Sequence, residues 1–178
     1  MTALTDLTPK VITYLLAQAA SNPVLGAAEP PVVIIDGEPA TQDVLALNPA
    51  GLTQRLYIGS EAYSQQLTQG SSSAQGFAFL DQARTRDCDI EVLCAAEAIS
   101  GDTVMATARE GAYAVAAAVE LMLRGSPGTN PASPGDATMG GLVFWSEVAS
   151  TELNQEQSTQ GAIALVKFKV NAFVRLTS

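Results

Sequence analysis

The chain has 178 residues, 47% hydrophobic and 15% charged, which suits one globular domain with a core of its own and excludes a disordered polymer. A net charge of −9 leaves no basic footprint for gripping phosphates, which speaks against a nucleic-acid-binding module or attachment to an anionic membrane. There is no histidine, the commonest general base and metal ligand, and two cysteines make no disulfide framework.

The N-terminal "MTALTDLTPK" lacks a basic region followed by an apolar core, so no signal peptide is expected. Thr8-Pro9 reads as a helix start, with Thr8 as N-cap and Pro9 where no amide hydrogen is needed. Val11, Ile12, Leu15, Leu16 and Ala19 then share one face, and Asn22-Pro23 ends the run. A β-branched run over Val32–Ile35 leads to an Asp36-Gly37 turn. In "LTQRLYIGS", Leu52, Gln54, Leu56 and Ile58 alternate with Thr53, Arg55 and Tyr57, which predicts a second strand.

Residues 61–76 are Ser/Gly-rich and read as a long loop. From Phe77 to about Ala98 the chain reads as one extended strand. Its even side carries Arg84, Arg86, Cys88, Ile90, Val92 and Cys94. Its odd side carries Asp87, Asp89, Glu91, Leu93 and Ala95.

The clearest element is the Ala-rich helix that follows "SGD", with Asp102 or Thr103 as its cap and Gly125 just past its end. Met105, Ala108, Ala112, Val115, Val119 and Met122 form one continuous stripe, and Glu120 precedes Arg124 by four. The opposite side has Ala106, Tyr113 and Ala117, small enough for another surface to approach closely. Residues 125–141 are rich in Gly and Pro and read as a second long loop, ordered only against a neighbour. Two strands, "LVFWSEVASTEL" and "GAIALVKFKVNAFVRL", pair across "NQEQSTQG". In the last, Ala164, Val166, Phe168, Val170, Ala172 and Val174 share one face; Lys167, Lys169, Asn171, Phe173 and Arg175 share the other. The order α-β-β-β-α-β-β, without βαβ alternation, predicts a single α+β domain over 1–178: a mostly antiparallel sheet packed by two main helices.

The chemical inventory is thin. No G-x-S-x-G elbow and no phosphate-cradling G-x-x-x-x-G-K-[ST] occur. Cys88 and Cys94 lie too far apart along a strand for a disulfide, roughly 20 Å, and no further soft ligand accompanies them. They read as small core residues. Asp87, Asp89 and Glu91 lack the turn and carbonyl ligands of a cation site. They read as a polar edge that either meets the basic row Lys167, Lys169 and Arg175 across neighbouring strands or meets it between subunits. No catalytic residue, metal or cofactor is assigned, and no enzyme is expected.

A short N-terminal helix, the "PVVIIDGEP" strand and the acidic "RDCDIEVLCAAEA" strand come in that order. "SGD" then leads into "AREGAYAVAAAVELMLRG", and "GAIALVKFKVNAFVRL" closes the chain. This succession resembles the tail terminator proteins of long-tailed bacteriophages, the lambda-type siphophage group, over residues 8–176. The resemblance lies in the pattern of elements; the two long loops are additions to it. It implies a virion protein, assembled in the host cytoplasm, that forms a hexameric ring on the tail tube. The ring would stop polymerisation of the tube protein and meet the head-tail connector or stopper protein, with DNA passing through without specific binding. Catalytic residues are not part of that family's pattern. Another neck protein, such as a head-completion or stopper protein, and a tail-tube subunit are the alternatives, followed by a non-viral binding domain or enzyme. Candidate interface residues are Asp87, Asp89, Glu91, Lys167, Lys169, Arg175, Tyr113 and Ala117.

Overall fold

A computed structural model describes residues 4–37, 51–59, 77–80, 83–101, 104–124, 135–158 and 161–177. For 4–6, 77–80, 83–88, 158 and 175–177 it describes the backbone alone. The loop expected at 61–76 lies outside the described residues, as do 125–134 of the second loop. Asp102, Thr103 and Gly125, expected to cap the Ala-rich helix, lie outside them too.

The elements run α1 (Leu4–Ser21), α2 (Pro23–Gly26), β1 (Val33–Asp36), β2 (Leu52–Ile58), β3 (Phe77–Leu80), β4 (Ala83–Ser100), α3 (Met105–Met122), β5 (Trp145–Ser158) and β6 (Gly161–Thr177). The fold is α+β. Its strands form one sheet in the order β1-β2-β4-β6-β5, with β3 paired to β4 as well. All pairings are antiparallel except β1 with β2.

Several boundaries differ from the sequence expectation. α1 begins at Leu4, so Thr8 is not its cap and Pro9 lies inside it. Pro9 is the sixth residue of the helix, beyond the first turn, so it forfeits the hydrogen bond that an amide there would donate to the Thr5 carbonyl. Asn22 instead caps α2, accepting from the amides of Val24 at 2.9 Å and Leu25 at 3.4 Å, with Pro23 at the first helical position. The single strand expected over 77–98 is two strands paired antiparallel, with Leu80 opposite Ala83. The polar "NQEQSTQG" is largely strand, since β5 continues to Ser158 and Ser158 pairs with Gly161. Pairing needs backbone groups, and on an outer strand polar side chains lose no hydration by taking part.

The helices cover one face of the sheet. Leu7, Val11, Leu15 and Ala19 of α1 and Ala108, Ala112, Val115, Val119 and Met122 of α3 share a core with Leu56, Ile58, Ile90, Val92, Cys94, Val166, Phe168, Val170 and Ala172. The even faces of β4 and β6 therefore point inward, as their alternation predicts. α3 sits close on the sheet at Gly111. A Cβ there would lie 2.8 Å from Leu52 Cδ2 and 3.2 Å from the Ala98 Cβ. The Gly111 carbonyl accepts from Gln54 Nε2 at 2.9 Å.

Residues 135–141 depart furthest from expectation, being folded against the chain itself. The Asp136 amide donates to the carbonyl of Met122 at 2.9 Å, and Met139, at φ 51°, is wholly buried. The Asp136 carboxylate accepts from the Thr138 amide at 2.8 Å, the Thr138 hydroxyl at 2.6 Å, the Gly140 amide at 2.6 Å and the Tyr14 hydroxyl at 3.4 Å. One carboxylate thus ties the turn to itself and to α1, which the Gly/Pro composition alone conceals.

Candidate assembly interface

The face of the sheet away from the helices carries most of the residues singled out from the sequence. In β4 and β6, Asp87 lies opposite Arg175, Asp89 opposite Phe173 and Glu91 opposite Asn171. Lys169 lies opposite Leu93 and Lys167 opposite Ala95. The acidic and basic rows are therefore neighbours within one chain. Lys169 Nζ donates to Glu91 Oε2 at 3.2 Å across a diagonal, both side chains about 40% exposed. Such a half-exposed pair contributes at most about 1 kcal/mol.

The columns alternate in sign across this face. β4 supplies Asp89 and Glu91, β6 supplies Lys167 and Lys169, and β5 supplies Glu147, opposite Asn171, and Glu152, opposite Lys167. Glu156 lies further along β5, opposite Ile163. Toward β2 the face becomes buried. Arg55 Nη1 donates to Glu97 Oε2 at 3.0 Å, and the Tyr57 hydroxyl donates to the same oxygen at 3.0 Å. Burial alone would lower the Arg55 pKa, but Tyr57 and Glu97 raise it, so the guanidinium stays charged. Burial is the main reason the Tyr57 phenol is raised as well.

Tyr113 and Ala117 are exposed, on the outer face of α3 on the covered side of the sheet, so the structure does not join them to the charged rows. Leu121 continues their line at the same four-residue spacing. Leu121 is 53% exposed and Tyr113 41%.

Sequence reasoning missed the aromatic start of β5. The Trp145 ring stacks on Phe173, centroids 4.5 Å apart and planes 11° off parallel, while Phe144 is 68% exposed. The adjacent Phe144-Trp145 pair was the available signal. Near these residues a cleft of about 330 Å3 is lined by Glu120 of α3, Leu123 and Arg124 just past its end, Ala137, and Trp145–Val148 of β5. Glu120 and Arg124 are ion-paired, as their spacing predicts.

Cys94 is buried in the core, and burial pushes its thiol up to about 12 against a weaker opposing effect of the Gly59 backbone. The side chain of Cys88 lies outside the described residues. Among the described residues no three His, Cys, Asp or Glu side chains gather to hold a metal ion, and no helix is long and apolar enough to cross a membrane. Neither a protein-family model nor a curated protein matches the chain.

Proposed function

We propose that the chain is an assembly protein rather than an enzyme, a tail terminator of a long-tailed bacteriophage. In the virion, copies form a ring, a hexamer by the family resemblance, on the end of the tail tube. The ring ends tube polymerisation and presents a surface to the head-tail connector or stopper protein. The observation that carries this reading is the one-sided sheet. Helices cover one face, while Asp89, Glu91, Lys167 and Lys169 line the other; on the covered side the outer face of α3 exposes a separate line, Tyr113–Ala117–Leu121. A subunit of a closed ring needs a second surface to bury against its neighbour. The net charge of −9 suits a tube through which DNA passes without sticking.

The test is electron microscopy of the purified protein mixed with tail tubes, alongside its mass in solution. Rings at one end of each tube are the expected result. Self-assembled tubes would make the chain a tube subunit, and rings bound only to the head connector would make it another neck protein.

A further inference from the structure

The outer edge of β5 remains unexplained by the folding of the chain. Among the described residues β5 ends the strand order, its backbone pairing with β6 on one side. Long open edges template further pairing and are ordinarily blunted. Here the blunting is uneven. The far half of β5 is bulged at Ser150, which has φ 51°, and the register shifts between Ala149 and Thr151. The near half, Trp145–Ala149, keeps an unbroken register with β6.

Beside that near half lies the cleft. Glu120 of α3, with its ion-pair partner Arg124 and Leu123 just past the helix end, forms one wall and Trp145–Val148 the other. Ala137, whose carbonyl accepts from Ser146 Oγ at 2.9 Å, lines it too. A groove between an edge strand and a helix is the geometry into which an extended peptide adds as a further strand. Main-chain bonds hold such a peptide, and its alternate side chains enter the groove.

Charge then selects the occupant. On the open face the columns run acidic in β4, basic in β6 and acidic in β5. Glu147, Glu152 and Glu156 have no ion-pair partner among the described residues, Lys169 being engaged with Glu91. Residues 145–158 include no Lys or Arg. A second copy of β5 laid on this edge would set carboxylates against carboxylates, which is unfavourable. We propose that the edge of β5 and its cleft are a docking groove for an extended, basic segment of a partner protein. Its Lys or Arg side chains pair with the β5 glutamates, and its alternate, apolar side chains enter the cleft toward Leu123 and Val148. The inference does not depend on the phage reading.

The probe is an end-blocked peptide of about ten residues alternating Lys and Val, roughly 33 Å long when extended. Its control has the same charge, with prolines replacing the valines so that it cannot pair as a strand. Calorimetry with the full chain should detect the first peptide and not the second, and amide exchange should slow within Trp145–Ser158. The triple variant E147K/E152K/E156K should bind the first peptide about tenfold or more weakly, ~1.4 kcal/mol. Equal binding of both peptides would reduce the effect to surface charge and overturn the proposal. Absence of binding at millimolar peptide, or protection outside β5, would overturn it too. Self-association that protects the same amides without peptide would assign the edge to a second copy instead. The exchange measurement uses the unaltered protein, so a folding defect in the triple variant leaves the result readable.

Discussion

Asp136 shows how much one side chain can organise. Burial works against its ionisation, but hydrogen bonds from Thr138, Gly140 and Tyr14 outweigh it and hold the carboxyl below its ordinary range. A depressed carboxyl contributes stability above its unfolded pKa and loses it as pH falls through the folded value. Asp136→Asn should therefore cost about 1–2 kcal/mol at neutral pH in urea unfolding, and the gap between the two proteins should shrink below about pH 4. A gap that stays constant into acid would refute the charged latch. Its partner Tyr14 is pushed up to about 12, by burial first and by Asp136 second. A raised phenol contributes stability below its ordinary value near 10 and loses it as pH rises through about 12. Tyr14→Phe should lessen the alkaline loss of stability over that interval, measured by circular dichroism. Cys94 gives a third residue-scale expectation. In a Cys88→Ala background its thiol should resist a disulfide reagent at pH 8 in the folded protein and react once urea unfolds the chain. Fast native reaction would contradict its burial.

At the scale of elements, α3 and β4 were the most legible, and for the same reason. A stripe of six apolar residues at 3- and 4-residue steps specifies one buried helix face, and five of the six are buried; Met105 is partly so. Strict alternation in β4 put Ile90, Val92 and Cys94 inside and Glu91 outside. The division of 77–100 into β3 and β4 was not legible, because no Gly or Pro stands between them. Gly111 marks where periodicity stops informing. By propensity it is about 1 kcal/mol worse than Ala in a helix, yet Leu52, Ala98 and Gln54 leave little room for a Cβ. We predict that Gly111→Ala destabilises the protein by about 1–3 kcal/mol in denaturant titration, and that adding Leu52→Ala recovers part of the loss. A more stable Gly111→Ala protein would mean that helix and sheet are not held so close.

For the whole molecule, the candidate surfaces divide between two sides of one sheet. The charged rows lie on the face without helices, and Tyr113, Ala117 and Leu121 lie on the outside of α3. Under the ring reading, changing Asp87, Asp89 and Glu91 together to Lys should leave a folded monomer. Glu91 is about 38% exposed, and its bond to Lys169 is a weak surface pair. Ring formation and tail-length control should fail, as seen by electron microscopy and plating. Normal tails and infectivity in that variant would remove the acidic row from the interface.

The sequence by itself determined the α+β class, the inward faces of α3, β4 and β6, and the absence of histidine chemistry. These follow from composition and from periods of 3.6 and 2, which are properties of contiguous residues. Only the tertiary structure decided that the acidic row lies beside the basic one, that Asp136 reaches back to Tyr14 across 122 residues, and that β5 ends the sheet among the described residues, with a cleft beside it. Each depends on which distant segments become neighbours. Strand order and long-range closure set that, and no local pattern encodes them.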